Sequence, residues 1–285
     1  MGAIAGWLCG VPVRLHTFTR QAWAERRGLV RWLSRLADRV IVRLNTRCYA
    51  DSFSQRDFLV AEGIAREGVI RVQGSGSLAG VDLARFDPER LRVPAAAARE
   101  RLGIPAGSKV IVFVGRVTRD KGAGELVEAF SQLRDTVLVL VGPLEPERDP
   151  LAAETLAAIN ANPMIHAVGY NPPPEHFLAM ADVLSLPSYR EGFGIVVLEA
   201  AALGVPCLGT RIVGLTDAIV DGETGVLVPA KDARALGDAL AALLADDTRR
   251  AALGRAARER VRREFDAAAM NARLLSEYAS LESRK

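Results

Sequence analysis

Short apolar runs separated by helical patterns dominate the chain from about residue 108 onward. These runs are rich in β-branched residues and most end at Gly or Pro, which is typical of buried strands. The segments between them place apolar residues at helical spacing, as in 124–133 and in the segment that begins near Ile195. Strands that alternate with helices predict parallel βαβ units in a doubly wound, Rossmann-like sheet. The six predicted strands are 110–115, 136–142, 164–169, 182–187, 205–210 and 225–229.

The first ninety residues show a sparser α/β pattern. Strands are predicted at 11–19, 47–51 and 69–72. A short helix follows the second of them, with Ser52 or Ser54 as its cap. A complete sheet of this class needs more strands, so the pattern predicts only part of a domain. The apolar run that opens the chain is too short to span a bilayer, which needs about 20 residues, and is interpreted as a buried helix.

A helix predicted at 24–44 has two unlike faces. Apolar residues form one stripe, and arginines follow at four-residue steps beside it. One interpretation is a domain helix with a solvated basic face. The other is a helix that lies on an anionic membrane surface, with Trp23 and Trp32 nearby. The apolar positions are Leu29, Leu33, Leu36 and Val40, and the basic positions are Arg31, Arg35, Arg39 and Arg43.

The domain division that we predict has three parts. A partial first domain covers 1–92, a complete second domain covers 93–265, and a helix at 266–285 docks back toward the first domain. The Pro- and Ala-rich stretch 87–108 is interpreted as the linker. The C-terminal residues 248–285 read as helical, and their apolar side chains available for docking are Leu274, Leu275, Tyr278 and Leu281.

Composition and charge narrow the classes of function. Hydrophobic residues make up 49% of the chain, which supports folded cores. The net charge of +3 gives no reason to expect a nucleic-acid partner. The charge is uneven, however, because residues 1–50 hold nine arginines against Glu25 and Asp38, which indicates a basic surface there. The three cysteines lack the spacing of a zinc site or of a disulfide framework, so we predict neither of these and a reducing, cytoplasmic setting.

Two cations follow the strand predicted at 110–115. Arg116 and Lys121 flank the turn GRVTRDKG, immediately before a predicted helix. Open α/β sheets bind ligands at the carboxyl ends of their strands, and the N–H groups at a helix N-terminus favour anions. A diphosphate site and a pair of solvated surface charges are both consistent with this position.

The stretch SYREGFGIVVLEA follows another predicted strand and carries Glu191 and Glu199, eight residues apart. Gly192 and Gly194 allow the backbone to approach a ligand closely. With a loop between them, the two carboxylates can face one crevice, where a carboxylate accepts hydrogen bonds from a ribose diol. The alternative is that Glu191 caps the following helix and Glu199 is solvated.

These motifs resemble the retaining glycosyltransferases of family 4, which have the GT-B fold. The resemblance rests on R-x4-K-G, on P-S-x-x-E-G-F-G-x-x-x-L-E-A, and on GETGVLVP at 222–229. It extends over essentially the whole chain, and HTFT, ADSFSQRDFL and GRVTRDKG are similar to the branch that builds bacterial polysaccharides and glycolipids. Family members start with a further strand and a glycine-rich loop, so we expect about ninety residues of the first sheet to be missing here.

The resemblance implies a role for each candidate residue. Arg116 and Lys121 would hold the diphosphate of a nucleotide-sugar donor and stabilise the leaving nucleotide without a metal ion. Glu199 would hold the ribose hydroxyls, and Glu191 would contact the transferred sugar. The remaining implied contacts are Gly192, Phe193, Gly194 and Ile195 at the sugar and phosphate, Tyr170 at the base, and His16 at the donor sugar or acceptor.

The implied reaction moves a hexose or N-acetylhexosamine from a UDP-sugar, less often a GDP-sugar, to a lipid-linked or polysaccharide acceptor. One alternative is a sugar-nucleotide epimerase of the same fold. Another is a nucleotide-binding module or accessory subunit without turnover, and for His16 the alternative is a structural role. We expect a cytoplasmic protein that needs no cofactor and can contact the inner face of an anionic membrane.

Overall fold

Two α/β units make up the described part of the protein, which in this computed structural model comprises residues 2–21, 23–24, 26–147, 149–170 and 173–282. The first unit contains helices α1 (Gly2–Leu8), α2 (Gly28–Leu44) and α3 (Phe53–Ala61) and strands β1 (Leu15–Phe18), β2 (Arg47–Ala50) and β3 (Ile70–Val72). The three strands are parallel and lie in this order in one sheet. Ser52 caps α3 by accepting a hydrogen bond from the backbone N–H of Gln55, one of the two predicted caps.

The second unit contains a six-stranded parallel sheet, and all six predicted strands are confirmed. Its strands are β4 (Lys109–Val114), β5 (Thr136–Val141), β6 (Ile165–Gly169), β7 (Val183–Leu186), β8 (Cys207–Thr210) and β9 (Gly225–Val228). Their order in the sheet is β6-β5-β4-β7-β8-β9. The chain therefore moves outward from β4 to β6 and then returns to the other side of β4, which creates a switch point between β4 and β7.

Helices cover both faces of the larger sheet. They are α4 (Pro88–Arg101), α5 (Ala123–Phe130), α6 (Ala153–Ala161), α7 (Pro174–Leu178), α8 (Ile195–Ala202), α9 (Leu215–Ala218), α10 (Ala233–Ala245), α11 (Asp247–Glu264) and α12 (Ala267–Glu282). Because both faces are covered, the central strands are largely apolar, and Val110 to Phe113 are fully buried. Burying one such side chain stabilises the fold by about 1.5–3 kcal/mol.

The predicted linker at 87–108 is wrong, because most of it is the helix α4. Asp87 caps this helix by accepting from the backbone N–H of Arg90, and Pro88 occupies the first turn, where no N–H donor is needed. Ala95 and Ala98 are buried in the core of the second unit. The predicted domain boundary after residue 92 therefore falls inside a packed helix.

The orientation of α1 and α2 also differs from the prediction. No residue of α1 is buried, and the apolar stripe of α2 points to solvent rather than to a core. Two of its arginines contact the end of α3 instead: Arg31 and Arg35 pair with Glu62 at 2.7 and 3.5 Å. Arg39 donates to the carbonyl of Gly63 at 2.8 Å but stays exposed, as does Arg43. The basic face is therefore solvated only in part, because the end of α3 offers Arg31 and Arg35 an acceptor while Arg39 and Arg43 are exposed. Within the described residues, no helix is long and apolar enough to cross a membrane.

The C-terminal helix α12 contacts the first unit through polar groups. Glu277 accepts hydrogen bonds from the Tyr49 hydroxyl at 2.5 Å and from the Gln73 amide at 2.8 Å. Of the apolar side chains proposed for this contact, Leu275 and Tyr278 are exposed. The helix therefore lies against the first unit through a partly buried polar contact at Glu277, while Leu274 and Leu281 are half-buried.

Candidate functional site

The loops after β4 and β7 lie side by side because these two strands are neighbours in the sheet. The first loop carries Arg116 and Lys121, and the second carries Glu191. They touch at Gly122, whose φ is 70° and where an added Cβ would lie 2.1 Å from the Pro187 carbonyl oxygen. A side chain at this position would push the loops apart, so the glycine sets their separation.

Lys121 and Glu191 form a direct ion pair. The Lys121 ammonium lies 2.5 Å from Oε1 of Glu191, and the two side chains are only 14% and 13% exposed. The Ser188 hydroxyl donates to the same carboxylate oxygen at 2.8 Å. Helix α8 begins after Gly194 without a side-chain cap, so the alternative in which Glu191 caps this helix is not observed. The structure thus brings together two residues that lie 70 positions apart in the chain.

Arg116 is also held in an ionic network rather than solvated. Its guanidinium donates to Glu145 at 3.0 Å and lies 3.2 Å from Asp120. Asp120 accepts a hydrogen bond from the Thr118 hydroxyl at 2.7 Å and pairs with Arg190 at 3.3 Å. Burial alone would raise the pKa of Asp120, but the Thr118 hydrogen bond and the charge of Arg116 lower that pKa overall. The network holds the Arg116 guanidinium in a fixed position at the carboxyl edge of the sheet.

The glycine loop from Gly192 to Gly194 is clamped between the two units. A Cβ at Gly192 would lie 2.2 Å from the carbonyl oxygen of Thr19, so only glycine fits against the first unit. The Phe193 side chain is buried and packs on Phe265, with ring centroids 5.5 Å apart. Gly194 has a φ of 79° and leads directly into α8. The loop therefore presents its backbone, and the first N–H groups of α8, toward the edge of the sheet.

Ile195 is the first residue of α8, and Glu199 lies one turn further along the helix. Burial raises the pKa of Glu199; the charge of Arg85 opposes this rise and the charge of Glu175 adds to it. Arg85 is itself engaged by Glu175 in a two-pronged ion pair at 2.9 and 3.0 Å. Among the described residues none donates a hydrogen bond to the Glu199 carboxylate, so both of its oxygens can accept from a ligand.

Two predicted site residues lie apart from this cluster. Tyr170 directly follows β6 and is exposed, and the rest of its loop, 171–172, lies outside the described residues. His16 lies within β1, with its ring 4.5 Å from that of Phe18 in a T-shaped arrangement. Burial lowers the pKa of His16, and the nearby charge of Asp38 on α2 opposes this. These contacts place His16 on the sheet face beneath α2, and its role stays a prediction.

A buried carboxylate that no sequence motif indicates lies on the first-unit side of the glycine loop. Asp51 directly follows β2, is 8% exposed, and has an Oδ1 atom without a hydrogen-bond partner among the described residues. A Cβ at Gly192 would lie 3.0 Å from its Oδ2. Burial raises the pKa of Asp51 to about 6. The only signal in the sequence is its place at the carboxyl end of a strand.

A cavity of about 370 Å³ also lies between the two units, beside Glu191. No motif indicates it, because its walls come from four separate segments. Its polar lining residues are Arg20, Gln21, Gln55, Tyr189, Arg190, Glu191 and Arg211. In the described part of the chain, no group of three or more metal-ligating side chains is present.

Sequence comparison relates the chain to known proteins. The profile described as "Glycosyl transferases group 1" matches residues 95–260. The chain is similar to the capsular polysaccharide biosynthesis glycosyltransferase CapM of Staphylococcus aureus, with 28% identity over 269 residues, 93% of this chain and 70% of CapM. It is also similar to the D-inositol 3-phosphate glycosyltransferase of Corynebacterium efficiens, with 37% identity over 211 residues. That match covers 70% of this chain and 49% of the relative, so the chain matches about half the length of that protein.

Comparison with solved structures concerns the fold. The structure of HepE from Anabaena in complex with UDP and glucose superposes with a TM-score of 0.82 at 20% identity. The superposition covers 98% of this chain and 74% of HepE, and the predicted α/β fold of GT-B type is confirmed. Because the family profile covers more than half of the 285 residues, the chain belongs to the family of glycosyl transferases group 1.

Proposed function

We propose that this protein is a glycosyltransferase that moves a sugar from a nucleotide diphosphate sugar to an acceptor hydroxyl. The observation that carries the proposal is the 2.5 Å ion pair between Lys121 and Glu191 at the carboxyl edge of the larger sheet. There a cation, a carboxylate and the N-terminus of α8 lie together, at the switch point where open α/β sheets bind phosphorylated ligands. Membership of the glycosyl transferases group 1 supports the same reaction.

The donor diphosphate would take the place of the carboxylates that now neutralise the cations. Lys121 would exchange Glu191 for a phosphate oxygen, and Arg116 would turn from Asp120 toward the diphosphate. Glu191 would then be released to accept hydrogen bonds from the hydroxyls of the transferred sugar. The backbone of the glycine loop would lie against the sugar and the phosphate.

The nucleoside would lie along α8. Glu199 would accept two hydrogen bonds from the ribose diol, for which both of its oxygens are available. Tyr170, which directly follows β6 and is exposed, would face the base. Burial of Glu199 strengthens such hydrogen bonds, because water competes less for the carboxylate.

In the proposed reaction the bond between the anomeric carbon and the diphosphate oxygen breaks, and the electron pair stays on the diphosphate. The acceptor oxygen bonds to the anomeric carbon on the same face, so the configuration is retained. The acceptor proton goes to the departing phosphate oxygen. Arg116, Lys121 and the N–H groups of α8 stabilise the charge that develops on the leaving group, without a metal ion.

A UDP-sugar that carries a hexose or an N-acetylhexosamine is the donor that we favour. HepE, which has the same fold, binds UDP and glucose, and CapM acts in capsular polysaccharide biosynthesis. We accordingly propose a lipid-linked or polysaccharide acceptor and a role in cell-surface glycan synthesis. His16 would contact the donor sugar or the acceptor, as the resemblance to family 4 implies.

Peripheral contact with the inner face of an anionic membrane is part of the proposal. Helices α1 and α2 expose Trp7, Leu8, Trp32 and Leu33, and the exposed residues Arg26 and Arg27 precede α2 while Arg43 lies in its last turn. An apolar face with aromatic residues and basic ends is typical of helices that lie in the membrane interface. Such contact would bring the cleft close to a lipid-linked acceptor.

The test uses the purified chain with UDP, UDP-glucose and UDP-N-acetylglucosamine. Glu199→Gln should weaken UDP binding at least tenfold, because the amide offers one neutral acceptor oxygen in place of two charged ones. Glu191→Gln should retain UDP binding and lower the release of UDP from the UDP-sugar at least tenfold. Glu128→Gln, at an exposed glutamate of α5, is the control and should change neither quantity.

Two results would contradict the proposal. UDP binding without turnover of any UDP-sugar, with lipid-linked and polysaccharide acceptors present, would favour the nucleotide-binding module. A chain that binds no nucleotide at all would overturn the assignment of Arg116, Lys121 and Glu199 together.

A further inference from the structure

The cavity beside Glu191, named the cleft pocket here, is built by both units. Its volume is about 370 Å³. From the first unit it is lined by residues that follow β1, such as Arg20, and by residues of α3, such as Gln55. From the second unit it is lined by Arg190 after β7 and Arg211 after β8. The pocket therefore opens where the carboxyl ends of the two sheets face each other.

Gln55 supplies a buried donor to this pocket. The residue is 2% exposed, and its Nε2 atom has no hydrogen-bond partner among the described residues. Its backbone N–H is used by the Ser52 cap, so the side-chain amide is the group left for a ligand. A buried N–H donor without an acceptor is unfavourable and uncommon, which indicates that a ligand supplies an acceptor atom there.

Three guanidinium groups surround the same pocket. Arg20 is exposed, and its side chain makes no ion pair or hydrogen bond with a described residue. Arg211 is held by Asp221, but its side chain is 56% exposed, so this ion pair is weak and a ligand can share the guanidinium. Arg190 is paired with Asp120 at 3.3 Å. Guanidinium groups with their planar sets of donors bind phosphate oxygens in pairs.

The carboxylate of Glu191 does not neutralise the arginines that line the cleft pocket. Of the described residues that line the pocket, Glu191 is the one that carries a carboxylate, and that group is engaged by Lys121 and Ser188. The rest of the wall is largely apolar, from Phe58, Ile212 and Val213. A ligand that fits must therefore combine an anionic group with an apolar or weakly polar body.

We infer that the cleft pocket binds the acceptor substrate through a phosphate group. This inference rests on the proposed function and specifies its acceptor: a molecule whose phosphate is held by Arg20, Arg211 and the Gln55 amide. The body of that molecule would lie toward Glu191, where its hydroxyl can reach the transferred sugar. A soluble phosphate monoester and a lipid-linked phosphate share this chemistry.

The experiment measures phosphate binding by titration calorimetry on the whole chain saturated with UDP, which occupies the diphosphate site. The probes are glycerol 1-phosphate as a soluble phosphate and farnesyl phosphate as a lipid phosphate. Arg20→Gln and Arg211→Gln should each weaken binding of both probes at least fivefold, and Gln55→Leu should weaken it threefold or more. Arg255→Gln, an exposed arginine of α11, is the matched control and should leave both affinities unchanged.

The outcomes separate this inference from the proposed function. Wild-type chain that binds UDP but binds neither probe, or binds them equally in Arg20→Gln and Arg211→Gln, overturns the acceptor pocket while the donor site stands. Absence of UDP binding overturns the proposed function itself. Tighter binding of farnesyl phosphate than of glycerol 1-phosphate identifies the acceptor as lipid-linked, and the reverse order identifies it as soluble.

Discussion

Asp51 carries a carboxylate in a place where a negative charge is unfavourable. Burial raises its pKa from the ordinary 3.8 to about 6. Between these two values the folded protein holds a proton that the unfolded chain has released, so the free energy of unfolding falls as the pH rises through this window. Above about pH 6 the loss amounts to about 3 kcal/mol, since one pKa unit corresponds to about 1.4 kcal/mol.

Asp51→Asn should therefore stabilise the protein at neutral and basic pH. We expect its free energy of unfolding to exceed that of the wild type by about 3 kcal/mol at pH 8 and by clearly less at pH 5, where part of the Asp51 population is still protonated. Urea unfolding at the two pH values measures this difference. Asp57→Asn, at a carboxylate that is 64% exposed, is the control and should change the stability little. A variant that is less stable than the wild type at pH 8 would show that the Asp51 carboxylate makes favourable contacts.

Glu199 should give nucleotide binding a pH dependence. Its pKa is raised by burial, and only the ionised carboxylate accepts hydrogen bonds from both ribose hydroxyls. The affinity for UDP-glucose should thus fall as the pH is lowered, and this fall should begin at a higher pH than for an exposed glutamate. UDP-glucose is the suitable probe because its diphosphate has no proton to gain in this range.

The Kd of UDP-glucose from pH 5 to 8 tests this expectation. In Glu199→Gln the affinity should be low throughout and should lose the part of the pH dependence that belongs to this residue. Parallel pH profiles for the wild type and the variant would exclude Glu199 as the titrating contact.

At the scale of elements, Gly122 determines how the loops after β4 and β7 fit together. Its φ of 70° is unfavourable for other residues, and an added Cβ would lie 2.1 Å from a carbonyl oxygen of the neighbouring loop. Gly122→Ala should lower the free energy of unfolding by more than about 2 kcal/mol. It should also lower turnover, because Lys121 and Glu191 lie on the two loops that it separates.

Gly103→Ala is the matched control for this prediction. Gly103 has a similar φ of 62°, but nothing lies within 4 Å of an added Cβ. It should therefore lose only the backbone preference, about 1 kcal/mol, and keep full turnover. Thermal unfolding of both variants separates the two contributions, and equal losses would show that the contact between the loops is unimportant.

The sequence predicted correctly the strands that are buried on both faces. It did not predict features that depend on which element packs against a helix. The strands β4 and β5 are covered on both faces, so their apolar runs identified them without knowledge of the partners. The pattern of α2 revealed two faces but not which one points inward, since that depends on Glu62 and Gly63 of the next helix. Helix α4 was missed because Ala and Pro are typical of linkers, although here Ala95 and Ala98 pack in the core.

The same distinction holds for the site. Arg116, Lys121, Glu191 and Glu199 were identified because each follows a recognisable strand. The contact between Lys121 and Glu191 was not, because it requires β4 and β7 to be neighbours although two strands separate them in the chain. Asp51 and the lining of the cleft pocket come from the first unit, whose approach to Gly192 no local pattern records.

At the scale of the whole molecule, the carboxyl ends of the two sheets face each other across one cleft. Thr19 and Asp51 of the first unit lie against Gly192 of the second, and α12 contacts the first unit through Glu277. The proposed donor site and the cleft pocket therefore meet at Glu191. A substrate held by the first unit and a donor held by the second would be brought into contact there.

Helices α1 and α2 form an exposed apolar surface, which is separate from the cleft. Trp32 and Leu33 are 57% and 49% exposed, although burying a side chain of this kind is worth about 2 kcal/mol. We expect the wild type to sediment with vesicles of phosphatidylcholine and phosphatidylglycerol, and to do so less at high salt because the basic ends of α2 contribute.

Trp32→Ser with Leu33→Ser should weaken this binding at least tenfold and leave UDP binding unchanged. Leu275→Ser, at a leucine of α12 that is 67% exposed, is the control and should sediment like the wild type. Wild-type protein that stays in the supernatant with anionic vesicles would remove the membrane from the proposed function, because the exposed face would then have no lipid to cover it.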